Sequence, residues 1–94
     1  MRKISPTTRF RRDYKREKRG PFKHILETEL DSVIEKLARD ESLEARLRDH
    51  ALTGNYSDHR DCHIKPDFVL IYRKPDSETL QLVRLGSHSE LDLS

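Results

Sequence analysis

Apolar positions are sparse in the first twenty residues, where Phe10 and Tyr14, four apart, make a narrow stripe of the kind that one helix face presents. Ser5-Pro6 predicts the entry to this helix, because a serine oxygen accepts from an orphan amide and proline at the first helical position has no N–H to leave unpaired. Gly20-Pro21 predicts its end, with Gly20 as a left-handed cap. From Phe22 the apolar residues fall at Phe22, Ile25, Leu26, Leu30, Val33, Ile34 and Leu37, spacings of three and four over about four turns. This is the strongest helical signal, and Glu27, Asp31, Glu35 and Lys36 mark its solvent face. After residue 40 the period changes. Residues 43–47 allow a short helical turn, and Gly54-Asn55 marks a loop. Across 58–64, Arg60, Cys62 and Ile64 alternate with Asp61 and His63, which a strand would place on one face. Pro66 interrupts, residues 68–72 read as a strand buried on both sides, Pro75-Asp76-Ser77 turns the chain, and 80–85 form a further strand closed by Gly86. With a short first strand at 2–5, the order predicts an α+β fold: two N-terminal helices packed on one face of a small, mainly antiparallel sheet of three to four strands.

The chain has 94 residues, of which 38% are charged and 33% hydrophobic, enough for one small domain spanning 1–94 and not for two. The longest apolar run, at 68–72, is far short of the ~20 residues of a membrane span, and no apolar segment follows the basic N-terminus as in a secretory signal. A single cysteine, Cys62, rules out an internal disulfide framework and fits a reducing, cytoplasmic setting. Net charge is +2, but residues 1–24 hold ten Lys and Arg against two acids, so they carry +8 and the remainder −6. That asymmetry points to a polyanion, or to an acidic protein partner, met from the N-terminal end through side chains such as Arg11, Arg12, Lys15 and Arg16.

Four of the five histidines, His50, His59, His63 and His88, follow the helices. His59, Cys62 and His63 superficially suggest zinc ligands, but residues four apart on a strand lie ~13 Å from each other, too far for one ion. No metal or other cofactor is expected. Metal-free acid–base chemistry fits better. RNA carries its own nucleophile, the 2′-hydroxyl, which attacks the adjacent phosphate once a base takes its proton, an acid protonates the leaving 5′-oxygen and cations offset the developing charge. Histidine serves as either partner near neutral pH.

Asp49-His50-Ala51-Leu52-Thr53-Gly54, Arg60-Asp61-Cys62-His63-Ile64-Lys65-Pro66-Asp67-Phe68, Tyr72, and Arg84-Leu85-Gly86-Ser87-His88-Ser89-Glu90-Leu91 together resemble the YafQ-type toxins of the RelE/ParE superfamily, the toxin halves of bacterial type II toxin–antitoxin modules. The resemblance is specific over the C-terminal half and looser over residues 1–48. It implies a RelE-like microbial ribonuclease fold and a cytoplasmic, ribosome-dependent mRNA endonuclease that works without metal and leaves a 5′-hydroxyl. It further implies a cognate antitoxin of the DinJ or RelB kind and contacts with mRNA in the decoding site and with ribosomal RNA. Carried over by position, the active-site set is His50, Asp61, His63, Asp67 and His88, with His88 as acid, His50 or His63 as base, Asp67 as an orienting group and Arg84 as a charge stabiliser.

Two positions depart from the family pattern. Phe68 stands where many relatives have Trp, and Asp92 stands where many have an aromatic residue four positions after the histidine. An acid cannot stack on a base, so either Tyr56 or Phe68 supplies the stacking, or cleavage is weaker or differently selective. The basic N-terminal block has two candidate partners, ribosomal RNA phosphates and an acidic segment of the antitoxin. The rival classes are a ParE-like toxin that poisons DNA gyrase and a non-catalytic nucleic-acid- or partner-binding module.

Overall fold

The computed structural model describes residues 1–91; Asp92, singled out above, lies outside the described residues. Strand β1 (Lys3–Pro6) leads into helix α1 (Thr8–Glu17), and a continuous helical run follows: a 3-10 turn (Lys23–Ile25), a π turn (Leu26–Leu30) and helix α2 (Asp31–Ala38). A second 3-10 turn (Ala45–Leu47), β2 (His50–Ala51) and a third 3-10 turn (Gly54–Tyr56) come next, then β3 (Arg60–Lys65), β4 (Phe68–Arg73), β5 (Thr79–Gly86) and α3 (His88–Leu91). Among the described residues no helix is long and apolar enough to cross a membrane.

The α+β class agrees with the expectation, but the sheet has five strands rather than three to four. Its order is β1-β5-β4-β3-β2, with β1 parallel to β5 and the other pairs antiparallel. Ser5-Pro6 is not the helix entry. Both residues belong to β1, where proline is tolerated on an edge strand, and Thr7 caps α1 instead, its Oγ1 accepting from the Phe10 amide at 3.0 Å. Gly20 is not a left-handed cap either, since α1 stops at Glu17 and Gly20 does not have positive φ. The second helix is one run, as predicted, though not of uniform pitch. Ile25 and Leu30 are both buried and five residues apart, too much rotation for a shared α-helical face, and the wider π turn between them restores it.

The main core lies between the sheet and this helical layer. Leu26, Leu30, Val33 and Leu37 pack there with Phe10 and with Cys62, Ile64, Phe68, Leu70, Tyr72 and Leu85 of the strands. Strand β4 is buried on both faces, as its unbroken apolar run predicted, because a smaller cluster of Val69, Ile71 and Leu91 covers the other side. Helix α1 also turns two charged residues inward, Asp13 and Glu17, while Arg11, Arg12 and Lys15 face solvent. Leu70 sits at the centre of the main layer with no exposed surface. Replacing Leu70 with Ala should cost about 2–5 kcal/mol, read in urea unfolding as a lower midpoint at unchanged slope.

Candidate active site

Alternation along β3 sends Cys62 and Ile64 into the core and Asp61 and His63 to the opposite face, as the sequence pattern requires. Two pairings then gather the rest. Strand β2 sets His50 directly across from Asp61. In the other direction His63 lies across from Val69, and Val69 across from Gly86, so the chain leaving β5 at Gly86 delivers His88 at the start of α3 against His63. A bulge at Val83 keeps Leu82 opposite Tyr72 while placing Arg84 opposite Ile71 on the cleft side. The three imidazoles form a row, with ring centroids 6.0 Å apart from His50 to His63 and 4.9 Å from His63 to His88. A cavity of about 770 Å³ lies over that row, walled by Arg9, Arg48, Tyr56, Asp61 and Arg84.

Each outer histidine is oriented through Nδ1. His50 Nδ1 lies 2.7 Å from the Arg48 carbonyl oxygen, which can only accept, so the ring proton sits on Nδ1 and the neutral ring keeps its lone pair on Nε2. Arg48 adopts φ 48° and ψ 45°, a left-handed backbone uncommon for a non-glycine residue, and this bend turns its carbonyl toward the ring. Next to it Asp49 accepts from the Tyr72 hydroxyl at 2.6 Å and from Arg60 Nε at 3.1 Å, which fixes the entry to β2. At the other end of the row, Asp67 Oδ1 in the β3–β4 turn accepts from the His88 amide at 3.2 Å and from its Nδ1 at 3.1 Å. Those bonds hold the Asp67 carboxyl below its ordinary value.

Asp61 is the strained member. It is 3% exposed, and its Oδ1 accepts no hydrogen bond although His50 Nδ1 lies at 3.0 Å and His63 Nε2 at 4.0 Å. Burial pushes its carboxyl above the usual range, against the opposing pull of His50, His63 and His88.

Of the expected set, His50, Asp61, His63 and His88 meet in one cleft, Asp67 reaches it by holding His88, and Arg84 and Tyr56 line its wall. Phe68 does not belong with them. It has no exposed surface and stacks on Phe22 in the main core, at 4.6 Å and 15°, so it offers no ring face to RNA. Arg16 also differs from the expectation of a free phosphate contact, because its guanidinium is engaged by Asp13, Glu17, Glu90 and the Leu85 carbonyl. His59 points away into its own loop, Nδ1 at 2.9 Å from the Ser57 oxygen, and shares no site with His63. Arg9 and Arg48 were not anticipated. Nothing near Arg9 singles it out in a chain with 19 basic residues, and only the fold brings it to the cleft, whereas Arg48 stands two residues before His50, a proximity that could have flagged it. Among the described residues, the group able to hold a metal ion is likewise not the His59–His63 pair but His50, Asp61 and His63, whose ligand atoms all lie within 4.8 Å of one another.

The raised Asp61 carboxyl carries a definite sign. A carboxylate harder to ionise in the fold than in the unfolded chain favours folding when protonated and opposes it when charged. Asp61→Asn should therefore unfold at higher temperature than the parent at neutral pH, and the gain should shrink as pH falls through the carboxylate range. Melting curves across pH check this.

Comparison with known proteins agrees with this architecture. The family model described as "Bacterial toxin of type II toxin-antitoxin system, YafQ" matches residues 2–93. The mRNA interferase toxin YafQ of Escherichia coli K12 is 41% identical over 49 residues, 52% of each chain, so the aligned segment spans about half the length of that relative. Among solved structures, a metal-bound toxin from Helicobacter pylori superposes with a TM-score of 0.86 at 41% identity, covering 97% of this chain and 99% of that one. YafQ in the E. coli DinJ–YafQ complex gives 0.82 at 28% identity over 97% and 98%. With a family model spanning nearly its whole length and matching folds at either end of this identity range, the chain belongs to the YafQ family of bacterial type II toxin–antitoxin toxins.

Proposed function

We propose that the histidine cleft cleaves mRNA in the ribosomal decoding site by 2′-hydroxyl attack, with His50 as general base and His88 as general acid. One observation carries this reading: two histidines flanking a third line the same cavity, and each is bonded through Nδ1 to a different acceptor, which leaves its Nε2 for proton transfer. His50, its Nδ1 proton committed to the Arg48 carbonyl, takes the 2′-hydroxyl proton at Nε2. The 2′-oxygen then bonds to phosphorus, the bond to the 5′-oxygen breaks, and His88 supplies the proton that leaves with that oxygen. The products are a 2′,3′-cyclic phosphate and a 5′-hydroxyl, with atoms and charge in balance. His63, between the two, contacts the phosphate, and Arg84, with Arg9 and Arg48 nearby, offsets the charge building on its oxygens. Tyr56, partly exposed on the wall, is the aromatic group left to stack on a base.

The exposed Arg11, Arg12 and Lys15 of α1 extend this cationic surface away from the cleft and suit ribosomal RNA phosphates. A cognate antitoxin would silence the enzyme by laying acidic side chains over the same cations, and E. coli YafQ forms a complex with DinJ. The relatives named mRNA interferases support cleavage over gyrase poisoning or plain binding, as does an acid–base pair for which neither alternative has a use. A second reading concerns regulation. His50, Asp61 and His63 are spaced to take a transition-metal ion, and the H. pylori toxin is described as metal-bound. Such an ion would engage the base and inhibit cleavage.

Primer extension on mRNA translated with the purified chain should map cuts bearing 5′-hydroxyl ends. His50→Ala and His88→Ala should each reduce the cleavage rate by about 10²- to 10⁴-fold and relieve growth arrest on expression. Binding to ribosomes without cuts, or full activity in both variants, contradicts the assignment.

A further inference from the structure

We propose that Asp13, a buried acid on α1, is the positioning residue that sets the Arg84 guanidinium beside the histidine row. The inference rests on the cleavage reading above and adds to it a residue outside the cavity. Asp13 is 3% exposed. Its Oδ2 accepts from Arg84 Nε at 2.7 Å and from the Leu85 amide at 3.0 Å, and its Oδ1 accepts from Arg84 Nη2 at 3.2 Å and Arg16 Nη1 at 2.9 Å. Burial alone would raise this carboxyl, but the bonds from Arg84 and Leu85 and the charges of both arginines outweigh it and hold the group below its ordinary value.

The two-point fork fixes the guanidinium plane, which a single contact could not do. It uses Nε and one hydrogen of Nη2, and the other three N–H hydrogens are left to Tyr56, which also bonds Arg84, and to a ligand in the cavity that both residues line. A guanidinium already held in place does not lose side-chain freedom when a phosphate arrives, and it does not reorganise as charge develops. As a mere fastener between α1 and β5, a buried ion pair is a poor solution, because an apolar pair of similar volume serves equally well or better. The acid also anchors Arg16, whose Nη2 donates to the Leu85 carbonyl at 2.8 Å and whose Nε pairs with Glu90 at 3.1 Å. Arg16 packs so closely on Gly86 that a Cβ there would lie 2.8 Å from Nη2. Arg16 keeps Glu17, Glu90 and the Leu85 carbonyl as partners when Asp13 is replaced, so the corner that delivers His88 is held independently of the Asp13–Arg84 fork.

The test compares Asp13→Asn, Arg84→Ala and the double variant in single-turnover cleavage of ribosome-bound mRNA, with melting curves confirming that each is folded. Asp13→Asn and Arg84→Ala should each slow turnover by about 10²-fold with substrate affinity little changed, and the double variant should be no slower than Arg84→Ala alone. In ¹⁵N spectra the Arg84 Nε–H signal should lose its exchange protection in Asp13→Asn. Folded Asp13→Asn cutting at the parental rate, or losses that multiply in the double variant, overturns the positioning role. A parent chain that cuts nothing overturns the cleavage reading itself, and the role with it. Should Asp13→Asn fail to fold, Arg84→Ala supplied with guanidinium at non-denaturing concentration replaces it: recovery relative to equal sodium chloride supports an Asp13 seat, and no recovery overturns it.

Discussion

The cleft depends on strand register. Residues near 50, 61, 63 and 88 come together because β2 pairs with β3 at His50–Asp61 and because His63, Val69 and Gly86 fall in one row across β3, β4 and β5. Side chains alternate between faces, so a slip of one position in β3 would send Asp61 and His63 into the helical core and bring Cys62 and Ile64 out. The apolar layer forbids that exchange, since Ile64 and Cys62 are buried against the helical run while the imidazoles need a polar cavity. Hydrophobic burial, with none of the cleft histidines among its main contributors, therefore fixes the spacing of His50, Asp61, His63 and His88.

Within that frame the polar groups are arranged at some cost to the fold. An orphaned carboxylate oxygen on Asp61 and a left-handed backbone at Arg48 both sit next to His50, where they determine how its ring is turned and what charge it faces. The charge split along the sequence gains structural meaning too. The two acids in the otherwise basic N-terminal block, Asp13 and Glu17, are the ones turned inward, while Arg11, Arg12 and Lys15 form the outer surface. One helix thereby serves as a cationic exterior and, on its other face, as an anionic seat for arginines of the sheet and of its own last turn.

Much of this was legible in the sequence, for identifiable reasons. The apolar spacing from Phe22 to Leu37 found the helical run, the alternation at Asp61 and His63 found their shared face, and the unbroken run at 68–72 found a strand covered on both sides. Boundaries were less legible. Ser5-Pro6 resembles a helix start, but the parallel pairing with β5 claims it for β1, and a two-residue strand such as β2 has no period to detect. Phe68 differs from its expected place for a related reason: an aromatic beside cleft residues in sequence points, on a strand, to whichever face its parity assigns, here the core. The placement of Asp13 and Arg9 depends on contacts across tens of residues, and no local pattern carries those.

The central claim is that His50 and His88 divide the proton transfers between them. Its most direct test is the pH dependence of single-turnover mRNA cleavage in the parent chain and in His50→Gln. The parent should give a bell, rising as the base sheds its proton and falling as the acid sheds its own. The His50→Gln variant should cut slowly and lose the rising acidic limb while keeping the alkaline one. An acidic limb unchanged in that variant, or a parent rate indifferent to pH, would contradict the account.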